Sequence, residues 1–237
     1  MGEMNLCIDI GNTSTKAALY GLNQEMKYYK PFTVEDFENV KNEHRPTVLV
    51  SKTGEDEELE MRLSDSDYLN HKTSLPIEID YKTPQTLGRD RIATAVGAYK
   101  MDAEATWLII DLGTCLTMDL VVNGVFQGGL ISPGVQMRFK AMNHFTAGLP
   151  LAELDYEQKF PGKSTEESMQ IGVCESITHE INGYIHQLNK QFSNLKIVDC
   201  SSVKLHFAKE VKNKIFARPK LVVEGLNQII EHNVKNK

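Results

Sequence analysis

Leu6-Cys7-Ile8-Asp9-Ile10-Gly11-Asn12-Thr13-Ser14-Thr15-Lys16-Ala17-Ala18-Leu19-Tyr20 is an apolar run broken by one acid, then a glycine-led polar stretch, then a second apolar run. The first run reads as a buried strand, Gly11-Asn12 as a turn and Ala17 to Tyr20 as the returning strand of a hairpin with a polar tip. Further along, Trp107-Leu108-Ile109-Ile110-Asp111-Leu112-Gly113-Thr114 repeats the pattern, with Thr117 to Val122 as its return. Two strand-Asp-x-Gly turns, each opening one half of the chain, form a weak internal repeat. They predict two similar lobes, residues 1–103 and 104–237. Strands and helices in mixed order put both lobes in the α/β class, and the hairpins exclude an all-parallel sheet.

Working outward, Thr33 caps a short helix to Val40, and Thr47 to Val50 reads as a strand. Ser51 to Ser66 is acidic and turn-prone, and is expected to be solvated. Ile92, Ala95, Val96 and Tyr99 recur at the spacing of one helix face, so Asp90 to Met101 is a helix with Arg89 and Asp90 near its start. The glycines in Gln127 to Gly134 allow close backbone approach to a strand or ligand. Arg138 to Phe145 reads as helical. Ser164 and Glu167 form a capping box for a long helix striped by Ile177, Ile181, Tyr184, Leu188 and Phe192. Ile197-Val198 is a short strand, Val203 to Lys214 a helix, and Leu221 to Ile230 a final helix.

The 237 residues carry a formal net charge of -6, with 41% hydrophobic and 24% charged side chains, which makes a nucleic-acid backbone an unfavoured main partner. No apolar run approaches the roughly 18 residues of a membrane span, and the opening Met-Gly-Glu-Met-Asn lacks the regions of a signal peptide. The expected location is cytoplasmic, without membrane attachment. Cys7, Cys115, Cys174 and Cys200 show no metal or redox spacing, and the seven His form no metal motif. Trp107 reads as core or rim rather than a stacking platform.

Glycine at an Asp-x-Gly turn exposes backbone N–H groups to phosphate oxygens, while the Asp can hold the cation that phosphate charge requires. Thr13, Ser14, Thr15 and Thr114 add hydroxyls, and Lys16 adds a point charge able to follow a transferring phosphoryl group. Gly88-Arg89-Asp90-Arg91 sets an acid between two bases at a helix start. Asp90 is then a base or orienting acceptor for an alcohol, and Arg91 the partner of a carboxylate or phosphate. A capped helix with exposed charges is the structural alternative.

In order along the chain, Asp9 to Thr13, Tyr81 to Arg91, Asp111 to Thr114, Gly128-Gly129-Leu130-Ile131-Ser132-Pro133-Gly134 and Leu221 to Leu226 resemble the type III pantothenate kinases of the acetate and sugar kinase, heat-shock protein and actin superfamily. The resemblance implies two ribonuclease H-like (actin-like ATPase) lobes with mixed sheets and a cleft between them. It implies transfer of the γ-phosphoryl of ATP to the primary hydroxyl of pantothenate, the first step towards coenzyme A, by a homodimer whose partner helps enclose pantothenate. On this resemblance Asp9, Ile10, Gly11, Asn12, Thr13, Ser14, Thr15 and Lys16 form the ATP-phosphate loop and Thr114 is a second nucleotide contact. Asp9 lies where Mg2+ would be held, and Asp111 matches the ligand of a monovalent cation, K+ or NH4+. Tyr81, Gly88, Arg89, Asp90, Arg91 and Thr165 match pantothenate contacts, with Asp90 the proton acceptor. The family's late Thr-Gly-Gly turn is replaced here by Val198-Asp199-Cys200-Ser201-Ser202, which predicts weak or altered nucleotide binding. A kinase for another small hydroxylated acid or sugar, and a non-catalytic nucleotide- or pantothenate-sensing regulator, are the competing readings.

Overall fold

A computed structural model describes residues 4–21, 24–201 and 215–235. In chain order the elements are β1 (Met4–Ile10), β2 (Thr15–Gly21), β3 (Gln24–Tyr29), α1 (Val34–His44), β4 (Thr47–Lys52), α2 (Glu57–Arg62), β5 (Asp67–Tyr68), β6 (Glu78–Ile79) and α3 (Arg89–Met101). They continue with β7 (Thr106–Leu112), β8 (Cys115–Val122), β9 (Val125–Pro133), α4 (Val135–Phe145), α5 (Thr165–Gln191), β10 (Leu195–Asp199), β11 (Ile215–Ala217) and α6 (Leu221–Lys235). The helix expected at Val203 to Lys214 lies outside the described residues.

Two sheets carry the duplication. One has the strand order β3-β2-β1-β4-β5; within the other, β9-β8-β7-β10-β11 repeats that order, with β6 beside β9. In the first, β1 runs antiparallel to β2 and parallel to β4, which is parallel to β5. In the second, β10 is parallel to both β7 and β11. Both sheets belong to the mixed α/β class expected from the hairpins.

The chain separates into two compact units. The first is Met1–Ala105 with Leu120–Gly128 and Lys220–Lys237; the second is Thr106–Asp119 with Gly129–Pro219. Helix α6 therefore counts with the first unit, where a boundary at residues 103 and 104 assigns it to the second. Its packing explains the difference. A Cβ at Gly225 would stand 1.8 Å from the Ala93 carbonyl oxygen, so the backbones of α6 and α3 cross in direct contact.

In the first unit, Leu6, Ile8, Ile10, Ala17 and Leu19 project from one sheet face onto Phe37, Val40, Leu59 and Leu63 of the α1 and α2 region. Each leucine, isoleucine, valine or phenylalanine so removed from water contributes roughly 1.5–3 kcal/mol, and Ala17 less. On the opposite face α6 packs against β1 and β4, and Asn5 donates to Asn227 Oδ1 at 2.8 Å. With both faces covered, β1 is buried from Leu6 to Ile10, and its one acid is buried with it.

Four local expectations need correction. Ser51 to Ser66 is not a solvated stretch: Ser51, Leu59 and Leu63 are fully buried, and Asp56 caps α2. Helix α3 is buried from Arg91 to Ala98 rather than along one stripe, because small residues let α6 close over it. In α5, Ile185 is buried while Tyr184 is exposed, so the stripe turns by one residue at that point. Ser164 Oγ accepts from the Glu167 N–H at 3.1 Å, but Glu167 Oε2 accepts from Lys163 N–H at 2.6 Å, one residue before the position a capping box requires. Trp107 is core, edge-on to Phe216, and all four cysteines are free thiols. No helix of the described residues is long and apolar enough to cross a membrane.

Candidate active site

The end of β1 is held in two registers at once: Asp9 lies opposite Lys16 on β2 and opposite Ser51 on β4. Ser51 Oγ donates to Asp9 Oδ1 at 3.1 Å. Burial pushes the Asp9 carboxyl up to about 6, the Asp90 carboxylate adds to the rise, and Lys16 and the Ser51 hydrogen bond oppose it. The turn that follows is seated on the end of β4. Thr53 and Gly54 N–H groups donate to the Ile10 carbonyl at 2.9 and 2.8 Å. A Cβ at Gly54 would lie 2.3 Å from the Gly11 carbonyl oxygen, so only glycine permits this approach. Asn12 and Thr13 form the exposed tip. Ile10 is wholly buried in the core, and Thr15 donates its hydroxyl to Asp56 Oδ2 at 2.7 Å, so these two support the loop from below rather than line its open side.

Asp90 sits in the first turn of α3, where unsatisfied N–H groups favour negative charge. Its Oδ1 accepts from the Arg91 N–H at 2.8 Å. Burial raises its pKa; that hydrogen bond and the Arg91 charge oppose the rise. A Cβ at the N-cap Gly88 would come within 2.6 Å of Asp90 Oδ1, so the glycine leaves room for the carboxylate. Arg91 is buried with its guanidinium 5.9 Å from the centre of the Phe126 ring, and Tyr81 packs on the same ring at 6.1 Å. Arg89 instead donates to the Pro84 and Gln85 carbonyls at 3.3 and 2.8 Å, bracing the loop ahead of the helix. The first unit thus brings together Asp9, Lys16 and Asp90, and beside Asp90 the Arg91, Phe126 and Tyr81 cluster.

The second unit holds Asp111, Thr114 and Thr165. Asp111 stands near the end of β7, partly buried, and Thr114 is exposed at its turn. That turn also has a glycine seat: Gly134 N–H donates to the Thr114 carbonyl at 3.1 Å, and a Cβ at Gly134 would lie 2.4 Å from the Gly113 carbonyl oxygen. Arg138 steadies the seat by donating to the Pro133 carbonyl at 2.8 Å and pairing with Glu180 at 2.6 Å. The segment in place of Thr-Gly-Gly reaches the same turn, since Leu112 N–H donates to Ser201 Oγ at 2.8 Å and Cys200 N–H to the Ile110 carbonyl at 2.9 Å. Thr165 is the exposed first residue of α5, next to its cap Ser164.

Sequence reasoning missed Ser51, Gly54 and Asp56. The usable signal was the register of Thr47 to Val50: a parallel partner of β1 places the following Ser beside Asp9, and the next glycine under the turn.

Duplicated sheets, each opening on an Asp-x-Gly turn with a glycine seat, define the actin-like ATPase and sugar kinase class. MreB5 of Spiroplasma citri, solved with ADP bound, aligns with a TM-score of 0.51 at 11% identity, covering 99% of each chain, a likeness of fold. Within that class, the family described as type III pantothenate kinase matches residues 5–187. A type III pantothenate kinase of Cytophaga hutchinsonii is 37% identical, covering 98% of this chain and 100% of the relative. One of Christiangramia forsetii is 38% identical, covering 97% and 99%. The chain belongs to the type III pantothenate kinase family.

Proposed function

We propose that this protein transfers the γ-phosphoryl group of ATP to the primary hydroxyl of pantothenate, giving 4′-phosphopantothenate and ADP at the entry to coenzyme A synthesis in the cytoplasm. The observation that carries the site reading is that the Asp90 charge at the helix start reaches the buried Asp9 at the phosphate turn and helps to hold its pKa up. In the transfer, the pantothenate oxygen bonds to the γ-phosphorus as the bond to the β,γ-bridging oxygen breaks. The hydroxyl proton passes late to Asp90, whose main contribution is alignment. Asp90 must be ionised to accept it; burial raises its pKa, and the Arg91 N–H and guanidinium work against that rise. Tyr81 and Arg91 form a wall on which pantothenate rests, Arg91 meeting its carboxylate, while Arg89 keeps the loop before α3 in place. Asn12, Thr13 and Lys16 take the nucleotide phosphates.

Asp9 is a buried hard oxygen donor whose charged form is opposed by burial and by the Asp90 carboxylate, a cost that a divalent cation relieves, so the site fits magnesium. Among the described residues no three His, Cys, Asp or Glu cluster as a closed metal cage, in keeping with an ion held by one or two carboxylates plus phosphate oxygens. Bound there by Asp9, magnesium would neutralise charge on the transferring group. Asp111 would hold the monovalent cation, and Asp111→Ala should weaken stimulation by potassium. The exposed Phe145, Leu151 and Phe160 of the second unit support a homodimer.

The test is formation of 4′-phosphopantothenate and ADP by the purified protein with ATP, pantothenate, magnesium and potassium. Product is expected. Folded protein that binds pantothenate yet makes none with any nucleoside triphosphate would instead be a sensor, and product only from another alcohol would redirect the substrate.

A further inference from the structure

The loop between β1 and β2 is fixed at both ends by one segment of chain. At its near end, the backbone of Gly54 lies against Gly11 and Asn12, and the N–H groups of Thr53 and Gly54 converge on the Ile10 carbonyl. At its far end, the buried Thr15 donates to Asp56 Oδ2 at 2.7 Å. Asp56 is itself immobilised. Its Oδ1 accepts from the Leu59 N–H at 3.3 Å as the cap of α2, and its own N–H donates to Glu60 Oε1 at 3.1 Å. Glu60 pairs in turn with Lys52, and Leu59 and Leu63 anchor the helix in the core. Between these two fixed points only the exposed tip can adjust. An open polar groove of about 560 Å³ runs beside the tip, lined by Asn12, Lys52, Thr53, Gly54 and Glu55.

We propose that Thr53–Asp56 is a clamp that sets the phosphate loop in its nucleotide-binding shape, with Gly54 and Asp56 as positioning residues. Neither touches the reacting atoms. Gly54 fixes the height of the Gly11-Asn12 peptide, and Asp56 fixes where the loop re-enters β2. Small displacements of a positioned group are costly to phosphoryl transfer, because the protein contributes chiefly alignment and electrostatics. The inference rests on the reading of Asp9 to Lys16 as the phosphate loop.

Steady-state kinetics on the full chain test it. Thr15→Val removes the hydroxyl and leaves the Asp56 cap intact; it should raise KM for ATP about five- to tenfold while KM for pantothenate moves less than about twofold. Thr15→Ser keeps the donor and should restore KM for ATP to near the wild-type value. Gly54→Ala should raise KM for ATP by more than about tenfold, since the new Cβ must displace the turn. Lys16→Ala checks the underlying reading independently. If Lys16→Ala raises KM for ATP but folded Thr15→Val does not, the clamp is refuted and the loop assignment stands. If Lys16→Ala also leaves KM for ATP unchanged, the loop assignment itself falls, and the clamp with it. A uniform fall in kcat for Thr15→Val with both KM values unchanged would make the Thr15–Asp56 bond a stabilising contact only and overturn the proposal.

Discussion

The two Asp-x-Gly turns share a seat but not a carboxylate environment. Each rests its glycine carbonyl on a second glycine, Gly54 under the first and Gly134 under the second, with carbon-to-oxygen approaches of 2.3 and 2.4 Å for a hypothetical Cβ. Each is also tied to the parallel neighbour of its leading strand, through Thr53 in one unit and Cys200 in the other. The first turn, however, ends a strand buried on both faces, and its Asp9 meets Asp90. In the second, the carboxylate is partly exposed and the tie is reinforced by a hydroxyl from Ser201. The seats are not duplicated positions, since Gly54 follows β4 while Gly134 follows β9, the counterpart of β3; the close glycine contact recurs from different strands, and the candidate acids belong to the more buried turn.

Replacing Asp90 with Asn gives the largest expected effect. Turnover should fall about a thousandfold, as for loss of a general base or aligning carboxylate, with KM for ATP within about threefold of wild type. Unchanged turnover at saturating substrates would remove the asymmetry between the turns.

Asp9 offers a second way to sharpen the contrast. Its folded pKa, about 6 against the ordinary 3.8, means the folded chain holds a proton that the unfolded chain has released between those values. Stability must therefore fall as pH rises through this window, with the whole penalty present above it. Asp9→Asn should stabilise the metal-free protein at pH 8 by about 2–3 kcal/mol, a gain that fades below about pH 4. Urea unfolding in a chelator at both pH values reads it, and a variant with the wild-type pH slope would show that Asp9 is not the strained acid.

Gly134→Ala should cost about 1–3 kcal/mol by overpacking the second seat and should raise KM for ATP; thermal unfolding with kinetics separates the two losses. A neutral result would break the equivalence of the seats. Ser201→Ala should have the smallest effect, about 1 kcal/mol from the lost acceptor for Leu112 N–H, with KM for ATP rising two- to threefold. No change in either would mean that the segment standing in for Thr-Gly-Gly does not steady the turn.

The hairpins and the duplication were legible because apolar runs ending in Asp-x-Gly announce both strand and turn locally. The mixed α/β class followed from their order. What stayed hidden depended on partners distant in sequence. Helix α2 has only Leu59 and the exposed Met61 among acids, with Leu63 just past its end, too few apolar residues to mark a buried face, so Asp56 looked like surface. Helix α3 showed a single stripe because Ala93 and Gly97 count little in any periodicity, yet they are the residues α6 presses against. Of the expected site, Asp9, Lys16 and Asp90 come together within one unit, whereas Arg89, Ile10 and Thr15 brace it, a distinction that needs side-chain directions rather than motifs.

The hydrogen bond from Asn5 to Asn227 spans 222 positions of the chain. A ribosome therefore delivers both acids of the candidate centre long before it delivers the helix that packs α3 against β1 and β4. The nascent chain must keep its first sheet half-covered until α6 has emerged, leaving one apolar face to holdase-type chaperones in the interval. Catalytic competence then waits on α6, so that a chain broken off before Leu221 would carry both acids and every candidate site residue and be no enzyme.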